Sequence, residues 1–395
     1  MFSARTLHAH RQRLEEYEHV FAAGLFLWGV FWWSMGGVVE IVQFVPRPYG
    51  SAAVLSFAAL TALLSSESYR RMQLEVARVL ALCLLPLMAL CAAHAAGTVQ
   101  HPLAQGGWVA WPFAFAIFYL LAHRHEGVPG RGLAKFLHVG SAWLLGVLVS
   151  WEAAWVVNTL VHGGDSWRAA AWAISAVFLI CLPRLVTRVD WPFRRHREAY
   201  LFTAGVGYAV YLGLWSLTTN LTLHGNADPL PYLPLLNPLD IAQAFVLMVI
   251  FRYWMFLRAA HLAALAGLHP RLLPSCLAGL VFIWANGVLL RTLHQWGGVP
   301  FSLESFAQST LTQMALSIFW AVLSLSTMLV AARKSNRVAW LAGAVLVAVV
   351  VAKLFLVDLS RIGSIERIVS FLGVGLLMMI FGYLSPLPPA AEQRR

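Results

Sequence analysis

Charged side chains are scarce in this sequence, at 11% of its 395 residues, whereas soluble domains carry about 25%. Lysine occurs at only three positions, and hydrophobic residues make up 60% of the chain. This composition excludes an ordinary water-soluble globular protein. It is typical of a chain that lies mostly within a lipid bilayer.

Cysteine is also rare, and the fingerprints of nucleotide and metal enzymes are missing. The four cysteines lie within or at the ends of apolar segments, without the spacing of metal ligands. No P-loop, kinase, metalloprotease or dinucleotide fingerprint occurs between those segments. We therefore expect no disulfide, no metal and no cofactor, and nucleotide-driven pumping by this chain by itself is disfavoured.

Apolar segments of membrane-crossing length follow one another along the whole chain. A helix needs about 20 apolar residues to cross about 30 Å of hydrocarbon. The sequence therefore predicts an all-α fold, a polytopic transmembrane helical bundle of about twelve spans. The predicted spans are 20–45, 50–66, 76–96, 108–123, 134–161, 167–182, 199–221, 238–257, 272–293, 309–331, 338–358 and 366–385.

Basic residues are distributed unevenly between the two sides of these spans. Twenty-one of the 28 fall in the N-terminus, in alternate connections and in the C-terminal tail. The positive-inside rule then places both termini in the cytoplasm, and the net charge of +11 reflects orientation and lipid contact rather than nucleic-acid binding. The predicted organisation is a cytoplasmic segment 1–19, a single transmembrane domain 20–386 and a cytoplasmic tail 387–395.

Ionisable side chains at hydrocarbon depth are few, and each is costly unless it is paired or hydrated. Six of seven such groups fall in the exterior halves of their spans. If the spans bring them together, they form a polar cavity open to the exterior. The candidate substrate-binding residues are Glu40, Glu152, Asp240, Arg291, His294, Lys353, Asp358, Arg361 and Arg367.

Structural roles compete with binding roles at several of these positions. Asp240 follows Asn237 and Pro238, which is typical of a helix N-cap with proline in the first turn. Asp358 and Arg361 have the spacing of an ion pair on one helix. The deep charges without such an explanation fit either a substrate or ion role or a structural ion pair. They are Glu152, Arg291 and Lys353.

Histidine followed by glycine marks the predicted exterior ends of several spans. Glycine just past a helix end favours the left-handed conformation, and histidine suits the negative end of the helix dipole. Helix capping is therefore the favoured interpretation, and sensing of exterior pH is the alternative. The histidines, with their glycines, are His94 with Gly97, His162 with Gly163 and Gly164, His224 with Gly225, and His294 with Gly297 and Gly298.

Several phrases, mainly in residues 235–390, resemble the bacterial predicted membrane protein family called domain of unknown function two-three-three-nine. The resemblance implies a bacterial inner-membrane protein with many helices, and it supplies no activity. The phrases are Trp33–Glu40, Leu236–Asp240, Trp284–Pro300, Lys353–Ser360 and Arg367–Gly375.

Three functions fit these observations. The favoured one is translocation of a polar, anionic or lipid-linked solute, with the basic candidates attracting the anion. The second is an envelope transferase acting on a lipid-linked substrate, with Glu40 or Glu152 as general base. The third is a scaffold or partner subunit whose charges only pair helices. The expected partners are the lipid bilayer and an anionic small molecule or lipid-linked substrate, with no nucleic acid.

Overall fold

The computed structural model describes residues 16–127, 130–161, 164–260, 272–354 and 379, which are almost entirely helical. Their α-helices are α1 (Glu16–Phe44), α2 (Gly50–Met72), α3 (Glu75–Leu82), α4 (Leu84–Thr98), α5 (Gly107–Arg124), α6 (Arg131–Leu160), α7 (Asp165–Trp172), α8 (Ala176–Arg188), α9 (Gly205–Thr222), α10 (Pro238–Ala259), α11 (Leu272–Gly297), α12 (Leu303–Gln308), α13 (Thr310–Arg333) and α14 (Arg337–Lys353).

Shorter helical segments extend or join several of these helices. A 3₁₀ turn at Arg47–Tyr49 leads into α2, and another at Ala173–Ser175 joins α7 to α8. The segment Asp190–Arg194 contains a kink with extended backbone at Trp191, and the π-helical segment Ala199–Ala204 continues into α9. The predicted span 199–221 is therefore a π-helical turn followed by an α-helix.

Nine helical stretches among the described residues are long and apolar enough to cross a membrane. This confirms a multi-span, all-helical membrane protein. The predicted span 108–123 forms α5, which is not one of the nine membrane-length stretches. Helix α14 covers residues 338–353 of the predicted span 338–358. Span 366–385 lies outside the described residues. The count of twelve and the orientation of the termini stay predictions.

The chain divides into two compact units, the first comprising Met1–Pro231 and Asn237–Val281. Helix α6 lies at the centre of the first unit because it contributes to both of its large hydrophobic clusters. Leu137 and Leu148 pack with α2, α4 and α5, whereas Ala142 packs with α7 to α10. The single predicted domain 20–386 stays a prediction.

Close helix packing in the first unit depends on small residues. A Cβ atom at Gly146 of α6 would lie 1.8 Å from the hydroxyl oxygen of Tyr208 on α9. That hydroxyl group donates a 2.7 Å hydrogen bond to the carbonyl oxygen of Ala142. Glycine therefore lets a large side chain approach the neighbouring backbone, as is common where membrane helices pack.

Helix α1 contacts the rest of the first unit along one narrow face. Phe26 is fully buried, and the indole nitrogen of Trp33 donates a 3.1 Å hydrogen bond to Thr61 on α2. Trp28 and Trp32 are more than half exposed. Such large exposed apolar side chains suit a helix whose outer face contacts lipid.

Contacts between connections define two ends of the first unit. At the end we call arginine-rich, where α2, α5 and α8 finish, Ser66 contacts His125. At the other, arginine-poor end, where α4, α6 and α9 finish, Trp167 donates a hydrogen bond to the carbonyl oxygen of Ala227. Consecutive long helices therefore run in alternating directions, as a multi-span topology requires.

The second unit comprises Tyr232–Leu236 and Phe282–Arg395. Within it α13 and α14 pack closely, because Gly343 presents no side chain to Met328. The indole nitrogen of Trp320 on α13 donates a 2.7 Å hydrogen bond to Asn286 on α11.

Candidate functional site at the arginine-poor end

A groove of about 580 Å³ lies at the arginine-poor end of the first unit. Its walls come from the end of α1, the start of α2 and one face of α4 from Leu87 to Thr98. Six of its twelve lining residues are aliphatic, and Leu87 and Leu90 are among the exposed side chains that form the walls. The groove is therefore an apolar surface accessible from outside the protein.

Two basic side chains, Arg47 and His94, complete this groove. Arg47 begins the 3₁₀ turn before α2, and its position is fixed by the prolines at residues 46 and 48, which restrict the backbone there. Both side chains are exposed, and neither forms an ion pair with any residue that the structure describes in this unit. An apolar wall beside unneutralised cationic and titratable groups suits a ligand with an apolar tail and an anionic head.

Glu152 lies at the same end, where α6 meets the connection between α4 and α5. Its carboxylate oxygens accept a 3.0 Å hydrogen bond from Nδ1 of His101 and a 3.1 Å hydrogen bond from the backbone N–H of Leu103. The His101 ring stacks on Trp155, with ring centroids 3.5 Å apart. Glu152 therefore fastens the 99–106 connection to α6.

Asp240 is fully buried in the first turn of α10. Its backbone N–H donates a 2.9 Å hydrogen bond to the side chain of Asn237, whose amide group also donates to the Asp240 carboxylate. The predicted N-cap at Asn237 is confirmed. Asp240 takes part in the cap, and a binding role for it stays a proposal.

A buried network of polar side chains links α9 and α10 one turn beyond Asp240. The side-chain oxygen of Gln243 accepts hydrogen bonds from Ser216 and Asn220, and its amide group donates to Thr219 at 3.1 Å. Gln243 and Ser216 are fully buried. Membrane helices are commonly joined by such uncharged polar pairs.

The second unit holds the other described candidates, on α11 and α14. Arg291 is fully buried, so a solute cannot reach it in this conformation. His294 donates a 2.8 Å hydrogen bond from Nδ1 to the carbonyl oxygen of Val299, just past the end of α11. Lys353 donates hydrogen bonds to the carbonyl oxygen of Gln313 and the hydroxyl of Ser317, both on α13.

Three charged candidates lie among the described residues of the first unit, each in its own surroundings. Glu40 is exposed on α1, whereas Glu152 is held by His101 and Asp240 by Asn237, within the same unit. Asp358, Arg361 and Arg367 lie outside the described residues. A single polar cavity built from all these charges stays a prediction.

Among the described glycines of the histidine–glycine ends, Gly225 and Gly298 adopt the predicted left-handed conformation, and Gly163 lies outside the described residues. The backbone φ is +82° at Gly225 and +67° at Gly298. The prediction is wrong at Gly97, since α4 continues through it to Thr98. It is also wrong at Gly164, whose φ of −101° places it in extended backbone before α7.

Sequence reasoning missed His101 and the groove around Arg47. His101 lies in a connection, 51 residues from Glu152, and only the packing of α4 and α5 against α6 brings the two together. Arg47 differs from most arginines because it lies on the arginine-poor side. That exception to the charge distribution is the signal that could have identified it.

Comparison with known proteins places the chain in a family. No curated protein and no solved structure matches it. The family model described as Predicted membrane protein (DUF2339) matches residues 9–388, well beyond the phrases of residues 235–390. Since this match covers nearly the whole sequence and nine membrane-length apolar helices lie within the described part of the chain, the chain belongs to the Predicted membrane protein (DUF2339) family.

Proposed function

We propose that the protein binds and translocates an anionic amphiphile, meaning a lipid or lipid-linked solute with a negatively charged head group. The observation that carries this proposal is the 580 Å³ groove, in which aliphatic walls and the basic side chains of Arg47 and His94 occur together. The positive-inside rule assigns this end of the molecule to the exterior side of the membrane.

The chemistry of the groove matches both parts of such a ligand. The aliphatic side chains of α1 and α4 suit an acyl or polyprenyl tail, because burying apolar surface is favourable. The guanidinium group of Arg47 can form two parallel hydrogen bonds with a phosphate or carboxylate. His94 on α4 adds a second group that can donate a hydrogen bond to the same head group.

The charged candidates of the spans fit later steps of this proposal. Arg291 and Lys353, with Arg361 and Arg367, would attract the head group during translocation, and Glu40 and Asp358 would balance charge. The transferase alternative has less support, because both oxygens of Glu152 are already engaged by His101 and by the backbone of Leu103.

The test is lipid movement in proteoliposomes that contain the full chain. The probes are NBD-labelled phosphatidylglycerol, which is anionic, and NBD-labelled phosphatidylcholine, which has no net charge. We expect wild-type protein to move the anionic probe faster, and the double substitution Arg47→Gln with His94→Gln to slow it about tenfold, as loss of about 1.4 kcal/mol of interaction implies.

The matched control is Arg168→Gln, since Arg168 is an exposed arginine at the same end that is already paired with Asp165 at 2.8 Å. It should leave the rate unchanged. Equal rates for the double variant and the wild type would refute the role of the groove. Wild-type protein that retains the anionic lipid in native mass spectra without moving it would refute translocation.

A further inference from the structure

Two histidine rings stack inside the first unit at its arginine-rich end, far along the chain from the groove. His138 comes from α6, and His196 lies between the kink at Trp191 and the π-helical segment Ala199–Ala204. Their ring centroids are 3.9 Å apart, with 29° between the ring planes. His138 is buried and His196 is mostly buried, so water has little access to either ring.

A carboxylate closes one side of this pair. Oε1 of Glu126, just after α5, lies 3.0 Å from Nε2 of His196 and 2.7 Å from Nε of Arg195. Nδ1 of His123 lies 3.6 Å from the other carboxylate oxygen. Glu126 is mostly buried, whereas the Arg195 and His123 side chains are more than half exposed. The carboxylate therefore joins the buried pair to the protein surface.

Hydroxyl groups close the other side. Nδ1 of His138 lies 3.1 Å from the hydroxyl oxygen of Tyr200, which is buried. The hydroxyl groups of Tyr119 and Ser141 lie 3.3 Å apart, and both interact with that of Tyr200. A row of exchangeable protons thus runs from Glu126 past both histidines to three hydroxyl groups.

The local backbone is unusual around His196. A kink with extended backbone at Trp191 precedes it, and the π-helical segment Ala199–Ala204, which contains Tyr200, follows it. π-Helical turns are rare and occur frequently at functional sites. His196 and Tyr200 are four residues apart, and the Tyr200 N–H donates a 3.2 Å hydrogen bond to the His196 carbonyl oxygen, so both side chains lie on the face of this segment that meets His138.

Electrostatics limits the pair to one positive charge. Two imidazolium rings at 3.9 Å would repel strongly in a buried site, so protonation of one ring disfavours protonation of the other. Glu126 stabilises a single imidazolium at His196. Arg195 and His123, which also face the carboxylate, compete for it. Among the described residues, no three His, Cys, Asp or Glu side chains form a metal-binding group.

We propose that the His138–His196 pair is a proton-binding site that holds one proton and exchanges it with the arginine-rich side through Glu126. In the loading step a proton from water reaches the Glu126 carboxylate and moves to Nε2 of His196, which leaves an imidazolium beside a carboxylate. His138 stays neutral, with its Nδ1 hydrogen-bonded to Tyr200. The inference goes beyond lipid binding at the groove, because it makes the protein responsive to protons on the opposite side.

The test is histidine NMR on the full chain, labelled with ¹⁵N-histidine and held in lipid nanodiscs, between pH 4 and 8. Imidazole ¹⁵N shifts report protonation directly. His138→Gln and His196→Gln each remove one resonance and thereby assign the pair. We expect His196→Gln to raise the titration midpoint of His138 by about one pH unit, because it removes the imidazolium that disfavours a second proton in the pair.

Glu126→Gln should shift the ¹⁵N resonance of Nε2 of His196, because it removes the carboxylate that contacts this atom. The matched control is His125→Gln, which removes another buried histidine at the same end and should leave both midpoints unchanged. Tyr200→Phe keeps both histidines, and it should shift the His138 resonance even if a histidine variant fails to fold. A His138 midpoint that does not respond to His196→Gln, together with a His196 resonance that does not respond to Glu126→Gln, would overturn the proposal.

Discussion

The first unit holds a histidine–carboxylate pair at each end, and the two pairs differ in their surroundings. At the arginine-poor end, His101 and Glu152 are joined to one backbone N–H and to the stacked ring of Trp155. At the arginine-rich end, Glu126 meets His196 and Arg195, and His196 stacks on a second histidine.

This difference shows that the same two side chains can serve different purposes. His101 has no second imidazole stacked on it among the described residues, and its carboxylate fixes a connection between helices. His196 has a further titratable ring and hydroxyl groups behind it. We therefore infer that the His101–Glu152 pair is a clamp, meaning that it holds a connection against α6. The His196–Glu126 pair can pass a proton onward to further groups.

The largest expected effect is that of Glu126→Ala. The substitution removes a mostly buried carboxylate that contacts both Arg195 and His196. It should lower the free energy of unfolding by about 3 kcal/mol. The measurement is thermal unfolding in detergent, followed by tryptophan fluorescence. Glu67→Ala is the control, because the Glu67 pairs with Arg70 and Arg71 are exposed and such pairs contribute less than about 1 kcal/mol. Equal losses of unfolding free energy in Glu126→Ala and Glu67→Ala would contradict the special role of the buried Glu126 carboxylate.

A smaller loss is expected for Glu152→Ala. The carboxylate accepts from one histidine and one backbone N–H, and hydrogen bonds to charged groups contribute about 1.5–3 kcal/mol; we expect a loss near 2 kcal/mol. Hydrogen exchange should increase in the 99–106 connection, which Glu152 fastens to α6, and stay unchanged in residues 190–204. Exchange that increases equally in both segments would mean that Glu152 is not a local clamp.

Trp155→Leu isolates the stacking contribution to the clamp. Its ring contacts His101 at a centroid distance of 3.5 Å, and aromatic pairs contribute about 1 kcal/mol beyond their buried area. We expect a modest loss of stability with faster exchange at His101, while the hydrogen bond to Glu152 persists. Trp28→Leu, on the exposed face of α1, is the control and should change neither quantity. An unchanged exchange rate in Trp155→Leu would show that Glu152 holds the connection without the ring.

The sequence predicted helices better than it predicted the meeting of side chains. The span 238–257 and its N-cap at Asn237 are confirmed in α10, because capping depends on neighbours three residues apart. The candidate at Glu152 was identified by its depth in an apolar segment. Its partner His101 could not be identified from the sequence, because the contact between His101 and Glu152 depends on how three helices pack.

The histidine pair was hidden for the same reason. His138 and His196 are 58 positions apart in the sequence, and the kink and the π-helical segment that flank His196 have no simple sequence pattern. Charge patterning indicates on which side of a membrane a connection lies. It says nothing about which of several histidines on that side share a buried site, because that is decided by tertiary packing.

The smallest expected effect concerns His125, which lies at the arginine-rich end outside that pair. It is buried and shares a 2.9 Å hydrogen bond with Ser66. Burial, with the nearby positive charges of Arg78 and Arg124, lowers the pKa of His125 below its ordinary value. The unfolded chain then binds this proton more readily than the folded chain, so stability is lost as the pH falls below about 6.5.

His125→Gln removes this contribution, so the unfolding temperature of the variant should fall less than that of the wild type between pH 7 and pH 5. The other histidines are present in both proteins, so the difference between the two curves isolates the contribution of His125. His94→Gln, at the exposed groove, is the control and should follow the wild-type curve. Parallel curves for His125→Gln and the wild type would show that His125 takes up its proton equally in the folded and unfolded chains, which would leave the His138–His196 pair as the main proton-sensitive element at this end.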